Sequence, residues 1–380
     1  MLLPLLAMTL AAAPPPPPDD AALLRRARAI LREAPLVDGH NDLPWAIRES
    51  KTAPMDVDAY DLRTRTAGHT DLARLEAGGV GVQFWSIYVP GEYRDSGYAK
   101  VQLEQFDIAR RVIARYPDRL QFAGSVEEIR RARRAGKIAS LLGMEGGHVL
   151  ENSLGALRAY YDLGARYLTL THNVTLDWAD AATGQRRHGG LTPFGREVVR
   201  EMNRLGMLVD LSHVSPEVMH QALDASAAPV IFSHSSARAL VDHPRNVPDS
   251  VLGRMPSNGG VVMVTFVPSF ISRDVLQWER GDSAYKASHP RPRATVKDVA
   301  DHIEHVRKVA GVDHVGIGGD FDGIPAGPEG LEDVSSYPNL FAELLRRGWS
   351  DDDLRKLAGR NVLRAFEQAE AVSRRLRAGR

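Results

Sequence analysis

The feature that most constrains the fold is a series of eight short apolar runs separated by segments with helical spacing. The runs are PLVDG at 35–39, GVGVQFWSIYV from Gly79, KIASLLGM from Lys137, RYLTLTH from Arg166, GMLVDLSH from Gly206, APVIFSH from Ala228, GGVVMVTF from Gly259 and DHVGIGGD ending at Asp320. This alternation is typical of α/β folds with parallel strands. Eight strands are what a (β/α)8 TIM barrel requires, so we predict that fold.

Helix signals lie between the runs. Ser125 and Glu128 have the spacing of a capping box, and Thr192 and Ser215 each precede a proline as an N-cap residue would. The chain from Ser350 onward has helical spacing, so extra helices should follow the barrel at the C-terminus. No linker rich in Pro or Gly divides this part of the chain. We therefore expect one domain over residues 21–380.

Residues 1–20 differ from the rest. MLLPLLAMTLAAA is an apolar run of signal-peptide length that ends in small residues, and PPPPP then predicts an extended linker. We expect an exported protein, periplasmic or secreted. If the run is not a signal, a cytoplasmic location is the alternative. The polar C-terminus predicts no lipid anchor and hence no stable membrane attachment.

Charge and cysteine content narrow the function. Lys and Arg together number 48, as do Asp and Glu, so the chain lacks the net positive charge typical of nucleic-acid binding. There is no cysteine. Disulfides and thiolate ligands are therefore excluded, and any metal must bind to His, Asp or Glu side chains.

Residues able to bind a metal follow six of the predicted strands. Because strand ends of a (β/α)8 barrel meet at one opening, these side chains should converge. Residues at i and i+2 of an extended segment share a face, so the first two in the chain should point inward together, with Asn41 pointing away. Imidazole and carboxylate ligands suit Zn²⁺. The candidates are His40, Asp42, Glu145, His172, His213, His234, Asp320 and Asp322.

Simpler interpretations exist for individual residues. A single histidine at a strand end is usually structural, and an aspartate there is often a helix N-cap. His302 and His305 resemble a helical zinc pair, but without an accompanying general base we expect a solvated helix face. His148 is either structural or a partner of Glu145. Asp38 should share the alternation of the strand with the ligands and support one of them. The convergence of several candidates favours a functional metal site.

Longer motifs carry a family resemblance. The motifs VDGHNDLPW, GMEGGH, YLTLTHN, DLSHVS, IFSHSSAR, RNVPD, GIGGDFDG and GLEDVSSYPNLFAELLRRGW resemble the renal (membrane) dipeptidase family of zinc metallopeptidases over residues 25–370. The resemblance implies a (β/α)8 barrel of the metal-dependent hydrolase type with a binuclear zinc site. It also implies that the substrates are dipeptides, and some members of the family open β-lactam rings.

The resemblance also implies roles for the residues. His40 and Asp42 would bind one Zn²⁺, His213 and His234 a second, and Glu145 would bridge the two. A hydroxide held between the ions would attack the peptide carbonyl, since zinc lowers the pKa of bound water towards 7.

Three more residues would complete the site by the same resemblance. His172 would bind the substrate and stabilise the tetrahedral intermediate. Arg245, in RNVPD, would bind the free C-terminal carboxylate, with Arg238 as a rival. Asp320 would bind substrate and carry the proton from water to the leaving amine.

Two alternatives to a zinc dipeptidase stay open. A non-peptide amidohydrolase or lactonase, including one that opens β-lactams, would share the metals but need no carboxylate-binding arginine. A metal-binding protein without catalysis would hydrolyse no dipeptide. Animal members of the family are disulfide-linked and lipid-anchored, and this chain has no cysteine. A dimer would therefore be a non-covalent homodimer.

Overall fold

The computed structural model describes residues 19–379, apart from the side chains of residues 94–96. The predicted signal segment and proline run, up to residue 18, lie outside the described residues. No helix within 19–379 is long and apolar enough to cross a membrane.

The described chain contains nine β-strands, all paired in parallel, with helices between them. The strands are Leu36–Asn41 (β1), Val80–Tyr88 (β2), Leu120–Phe122 (β3), Ile138–Glu145 (β4), Ala165–Thr169 (β5), Leu208–Asp210 (β6), Val230–Phe232 (β7), Val261–Val264 (β8) and Val315–Ile317 (β9).

The helices before the sixth strand are Asp20–Glu33 (α1), Leu43–Arg48 (α2), Leu72–Ala77 (α3), Tyr98–Arg115 (α4), Val126–Arg134 (α5), Leu154–Asp162 (α6) and Pro193–Leu205 (α7). Those after it are Pro216–Ala225 (α8), Asp249–Leu252 (α9), Met255–Asn258 (α10), Pro268–Ile271 (α11), Arg273–Arg280 (α12), Ser283–Ser288 (α13), Val296–Ala310 (α14), Tyr337–Arg346 (α15), Asp351–Arg355 (α16) and Asn361–Ala378 (α17). The predicted C-terminal helices are thus present.

Pairing between β2 and β4 closes the barrel. Val82–Tyr88 of β2 runs beside Ala139–Glu145 of β4, while β1 pairs with β2 on one side and β9 on the other. Eight strands form the closed ring, which confirms the predicted (β/α)8 barrel. The short strand β3 pairs only with the beginning of β4, below the point where β5 starts, and the sequence analysis missed it.

The helix caps follow the sequence signals. Thr192 and Ser215 accept hydrogen bonds from the backbones of Gly195 and Val218, as predicted. Ser125 caps α5 by accepting from the Glu128 backbone, but the Glu128 carboxylate accepts from Gly124. In a capping box the Glu128 carboxylate would accept from the Ser125 backbone, so the predicted box is only half formed.

Tyr167 crosses the barrel interior. Its hydroxyl lies 2.9 Å from His40 Nδ1 and donates to the Gly39 carbonyl at 3.2 Å. A Cβ atom at Gly143 would lie 2.0 Å from the Tyr167 ring, so only glycine leaves room for it there. The interior is thus filled by an aromatic side chain whose polar end reaches the mouth.

Asp38 joins three strands to an outer helix. Its buried carboxylate accepts from Gly319 N at 2.9 Å, Gln83 Nε2 at 3.0 Å, His40 N at 3.3 Å and the Tyr337 hydroxyl of α15 at 2.7 Å. The register of β1 shifts between Asp38 and Asn41, which breaks the alternation. The prediction that Asp38 shares a face with the histidine ligand is therefore wrong, and Asp38 holds that residue's backbone instead.

We predict that Asp38→Asn lowers the free energy of unfolding by about 2–3 kcal/mol, because an amide group would face donors and leave at least one unpaired. Chemical denaturation followed by circular dichroism measures this. Asp118→Asn is the control, since Asp118 pairs with Arg63 at the surface, where solvent screens the ion pair, and the free energy of unfolding should change much less. Equal losses in the two variants would contradict the prediction.

Candidate active site

A cavity of about 800 Å³ opens at the carboxyl ends of the barrel strands. The predicted residues meet there because each follows a strand of the closed ring. Those lining the cavity are Asp42, Glu145, His172, His213, His234, Arg245, Asp320 and Asp322. His40 is fully buried directly beneath them.

Glu145, at the end of β4, lies at the centre of the cluster. Its Oε1 atom is 3.0 Å from His213 Nε2 and 3.3 Å from His234 Nε2. Its Oε2 atom is 3.4 Å from His40 Nε2 and accepts a hydrogen bond from Ser86 Oγ at 3.2 Å. One carboxylate oxygen therefore faces His213 and His234, and the other faces His40.

His40 packs against the His234 ring, with ring centroids 3.9 Å apart, and also lies beside two aspartates. Its Nε2 atom is 3.2 Å from Asp42 Oδ2 and 4.0 Å from Asp320 Oδ1. Asn41 points away, donating to Thr70 Oγ1 at 2.8 Å and accepting from Leu43 N at 2.9 Å. The predicted inward pair with an outward Asn41 is thus what the structure has.

Three of the imidazoles, those of His40, His213 and His234, are oriented by a partner on the outer nitrogen. Nδ1 of His213 lies 3.1 Å from Asn173 Oδ1, and Nδ1 of His234 lies 2.8 Å from Ser233 Oγ. The hydroxyl of Tyr167 does the same for His40. These contacts direct the three Nε2 atoms into the cavity, as outer partners do in metal sites. Asn173, directly after His172 in the motif LTHN, was missed in the sequence analysis.

The arrangement of the inner nitrogens suits a divalent cation. His40 Nε2 is buried and has no hydrogen-bond partner among the described side chains. Nε2 of His213 lies 2.9 Å from Nε2 of His234. Three groups of residues each offer ligand atoms that lie within 4.8 Å of one another, and each group contains a carboxylate and at least one imidazole. The groups are His40, Glu145 and His234; Glu145, His172 and His213; and His40, Asp42 and Asp320. Imidazole nitrogens and carboxylate oxygens thus converge within each group, as a metal site requires.

Burial sets the charge states in the cluster. It lowers the pKa of His213 and His234 well below the usual range, so both rings are neutral. Burial raises the pKa of the Glu145 carboxyl, but His40 and the two rings outweigh it and bring that pKa well below its usual range. At His213 and His234 an ionised carboxylate therefore faces neutral imidazoles, which are the forms that bind a metal. At His40 burial lowers the pKa, but Tyr167, Asp42 and Glu145 outweigh it and raise that pKa well above its usual range.

Three of the residues adopt a left-handed backbone conformation. The φ angles are 68° for His213, 62° for Asp320 and 64° for Asp322. Side chains disfavour this region, and such residues persist where surrounding contacts hold them, commonly at functional sites.

Arg245 is a buried cation beside the cluster. It is 3% exposed, and its guanidinium donates to Ser235 Oγ and to the His234 carbonyl, each at 3.4 Å. Burial lowers its pKa to about 10, so it stays charged at neutral pH. Among the side chains that the structure describes, no carboxylate forms an ion pair with it. Its rival Arg238 pairs with Asp242 in a separate groove and is not part of this cavity.

His172 lies on the open side of the cluster. Its Nε2 atom is 3.9 Å from Glu145 Oε1, and its ring centroid is 4.8 Å from that of Tyr88. Tyr88 and Trp45 form an aromatic wall, with ring centroids 5.0 Å apart. The sequence analysis missed both, although Tyr88 ends β2 and so follows the same rule of strand ends.

The other histidines have structural contacts. His148 Nε2 bonds the Val89 carbonyl at 2.8 Å, outside the ligand groups. His302 is 1% exposed and bonds the backbones of Ala237 and Ile271, so the expectation of a solvated helix face is wrong for it. His305 pairs with a surface aspartate on α9.

Known protein sequences resemble this chain over most of its length. The model of peptidase family M19, membrane dipeptidase, matches residues 24–380. Dipeptidase 3 of Rattus norvegicus is 46% identical over 353 residues, which are 91% of this chain and 67% of that protein. Dipeptidase 3 of Mus musculus has the same identity and coverage.

Solved structures give the same result. The probable dipeptidase PvdM of Pseudomonas aeruginosa has a TM-score of 0.81 at 25% identity, covering 93% of this chain and 99% of its own. A metallopeptidase of Rhodobacter sphaeroides, solved with a phosphinate mimic of L-Ala-D-Ala, has a TM-score of 0.77 at 25% identity, covering 88% and 99%. The fold, the cluster and these relatives show that the chain belongs to the membrane dipeptidase family of metallopeptidases.

Proposed function

We propose that this metallopeptidase is a zinc enzyme that cleaves dipeptides with a free C-terminal carboxylate. The observation that carries this proposal is Arg245, a buried guanidinium without a carboxylate partner among the described side chains, at the cavity that contains the Glu145 cluster. A buried unpaired cation is costly unless a ligand neutralises it. A substrate carboxylate would do so, and a guanidinium can bind it through two hydrogen bonds.

Two zinc ions are the metals that we propose. His40 and Asp42 would bind one, His213 and His234 the other, and Glu145 would bind both, because its two oxygens face the two sides. Nitrogen and oxygen ligands without thiolates suit zinc. When bound, such ions polarise a carbonyl and lower the pKa of water towards 7.

The protein side chains would perform the remaining steps. Arg245 would fix the carboxyl end of the dipeptide and so place its peptide bond over the cluster. His172, on the open side, would donate a hydrogen bond to the carbonyl oxygen as negative charge develops there. Asp320 would take a proton from the attacking water and give it to the amine as the C–N bond breaks.

The solved relative with a phosphinate mimic of a dipeptide supports this substrate class. For residues 1–20 we retain the proposal of an export signal followed by a linker. Residues 21–380 would then form the single mature domain, in the periplasm or secreted.

We predict that the intact enzyme hydrolyses a free dipeptide about a hundredfold better than its C-terminal amide, because the amide leaves Arg245 unpaired. Arg245→Met should remove this preference and lower kcat/KM for the free dipeptide by a similar factor. Arg238→Met is the matched control and should behave as wild type. Equal hydrolysis of both substrates by the intact enzyme would refute the clamp and favour an amidohydrolase or lactonase.

We predict about two zinc ions per purified chain, measured by elemental analysis, as expected for a bridged pair. His213→Ala should lose about one of them, because one ring of the second site is removed. His305→Ala should keep both, since that ring pairs with a surface carboxylate. One metal or none in the wild-type protein would contradict the bridged site.

We predict that Asp320→Asn keeps both metals and loses turnover by about 10²–10⁴-fold, the range for removing a general acid–base group. Metal content and kcat measured on the same preparation separate the two effects. Wild-type turnover in this variant would remove the proton-transfer role from Asp320.

A further inference from the structure

A reciprocal pair of hydrogen bonds joins His69 to Asp322. Asp322 Oδ1 accepts from His69 N at 2.6 Å, and Asp322 N donates to His69 Nδ1 at 3.0 Å. Gly68 permits this approach, because a Cβ atom there would lie 2.3 Å from Asp322 Oδ1. One oxygen of the Asp322 carboxylate is therefore used in this contact, and Asp322 belongs to none of the ligand groups around Glu145.

Thr70, the residue after His69, makes a second contact, with the end of β1. Thr70 Oγ1 accepts from Asn41 Nδ2 at 2.8 Å, and Asn41 lies between the candidate ligands His40 and Asp42. His69 and Thr70 come from the long segment between β1 and β2. The adjacent residues His69 and Thr70 thus contact the chain at two places, the end of β1 beside Asp42 and the turn after β9.

The chain after β9 needs such support. Asp320 and Asp322 both have left-handed backbone conformations, at φ 62° and 64°. Residues with a side chain disfavour this conformation, and it persists only where surrounding contacts hold it. Asp320 N bonds the His40 carbonyl at 3.2 Å on one side. The contact of Asp322 with His69 holds the other side.

The position of this turn determines where two functional carboxylates lie. A Cβ atom at Gly323 would be 2.2 Å from Asp42 Oδ2 and 2.7 Å from Asp320 Oδ1, so both carboxylates pack against its Cα. Asp42 N also bonds the Phe321 carbonyl at 2.9 Å. A shift of the turn would therefore move the Asp320 carboxylate relative to Asp42.

We infer that His69 is a positioning residue for Asp320, acting through Asp322 and the strained turn. This inference rests on the proposed role of Asp320 in proton transfer. His69 does not line the catalytic cavity; it faces a neighbouring pocket bounded by the segment between β1 and β2. Its effect must therefore pass through the turn, not through contact with substrate.

The test replaces the accepting nitrogen while leaving the backbone in place. His69→Phe keeps a ring but removes the acceptor for Asp322 N, whereas His69→Asn offers an oxygen at the same number of bonds from the backbone as Nδ1. With a free dipeptide such as L-Ala-L-Ala as substrate, His69→Phe should lower kcat about ten- to a hundredfold, the effect of misplacing a reacting group by about 1 Å. KM should change less than about threefold because Arg245 is untouched. His69→Asn should stay within about threefold of wild type.

Metal content and the unfolding midpoint measured on the same samples exclude a general loss of structure, and both should match wild type in His69→Phe. His305→Phe is the matched control, because His305 forms a histidine–aspartate pair with Asp249 far along the chain from this turn. The inference would be overturned if His69→Phe had wild-type kcat or if it lost no more activity than His69→Asn. It would also be overturned if missing metal explained the loss.

The same assay distinguishes failure of this inference from failure of the proposed function. Undiminished turnover in Asp320→Asn would refute the proton-transfer role, and the role of His69 with it. A loss in Asp320→Asn together with wild-type kcat in His69→Phe would refute the positioning role alone.

Discussion

The closure of the barrel by pairing of β2 with β4 is the constraint on which the site depends. It brings the ends of β1, β4, β5, β6, β7 and β9 to one opening, so residues distant in sequence share a cavity. This arrangement buries a carboxylate among imidazoles, which is unfavourable because Glu145 is nearly and His40 fully inaccessible to water. Such a cluster is stable only when each group has partners, and the barrel supplies them.

Those partners are distributed over the whole ring. Tyr167 of β5 reaches His40 of β1, Ser233 contacts the neighbouring His234, and Asn173 contacts His213. Each contact uses the outer nitrogen of an imidazole, which leaves the inner nitrogen free for the cavity. The geometry of the cluster is therefore fixed by the packing of the barrel interior and by loop contacts, before any ligand binds.

The sequence was sufficient for the fold and for the histidines and carboxylates that meet at the mouth, because both follow from the order of strands and the polar residues after each one. It did not reveal Trp45, Tyr88 or Asn173, which line the same cavity. It was insufficient where a local irregularity intervenes. The register shift in β1 turns Asp38 towards Tyr337, and the three-residue strand β3 has too little pattern to be recognised. His302 on α14 has the spacing of a solvated pair, yet tertiary packing buries it beneath Ala237. The choice between Arg238 and Arg245 likewise depended on burial, which the spacing of residues in the sequence does not indicate.

One residue connects the two functions that a dipeptidase needs. The His234 ring contacts Glu145, and the His234 carbonyl accepts a hydrogen bond from Arg245. The separation between the guanidinium and the cluster is therefore set within a single rigid strand end, because β7 is fully buried. A flexible connection would admit longer or shorter substrates with similar affinity. A fixed one would place the peptide bond of only one substrate length over the cluster, and Arg245, in its proposed role, would then measure length as well as charge.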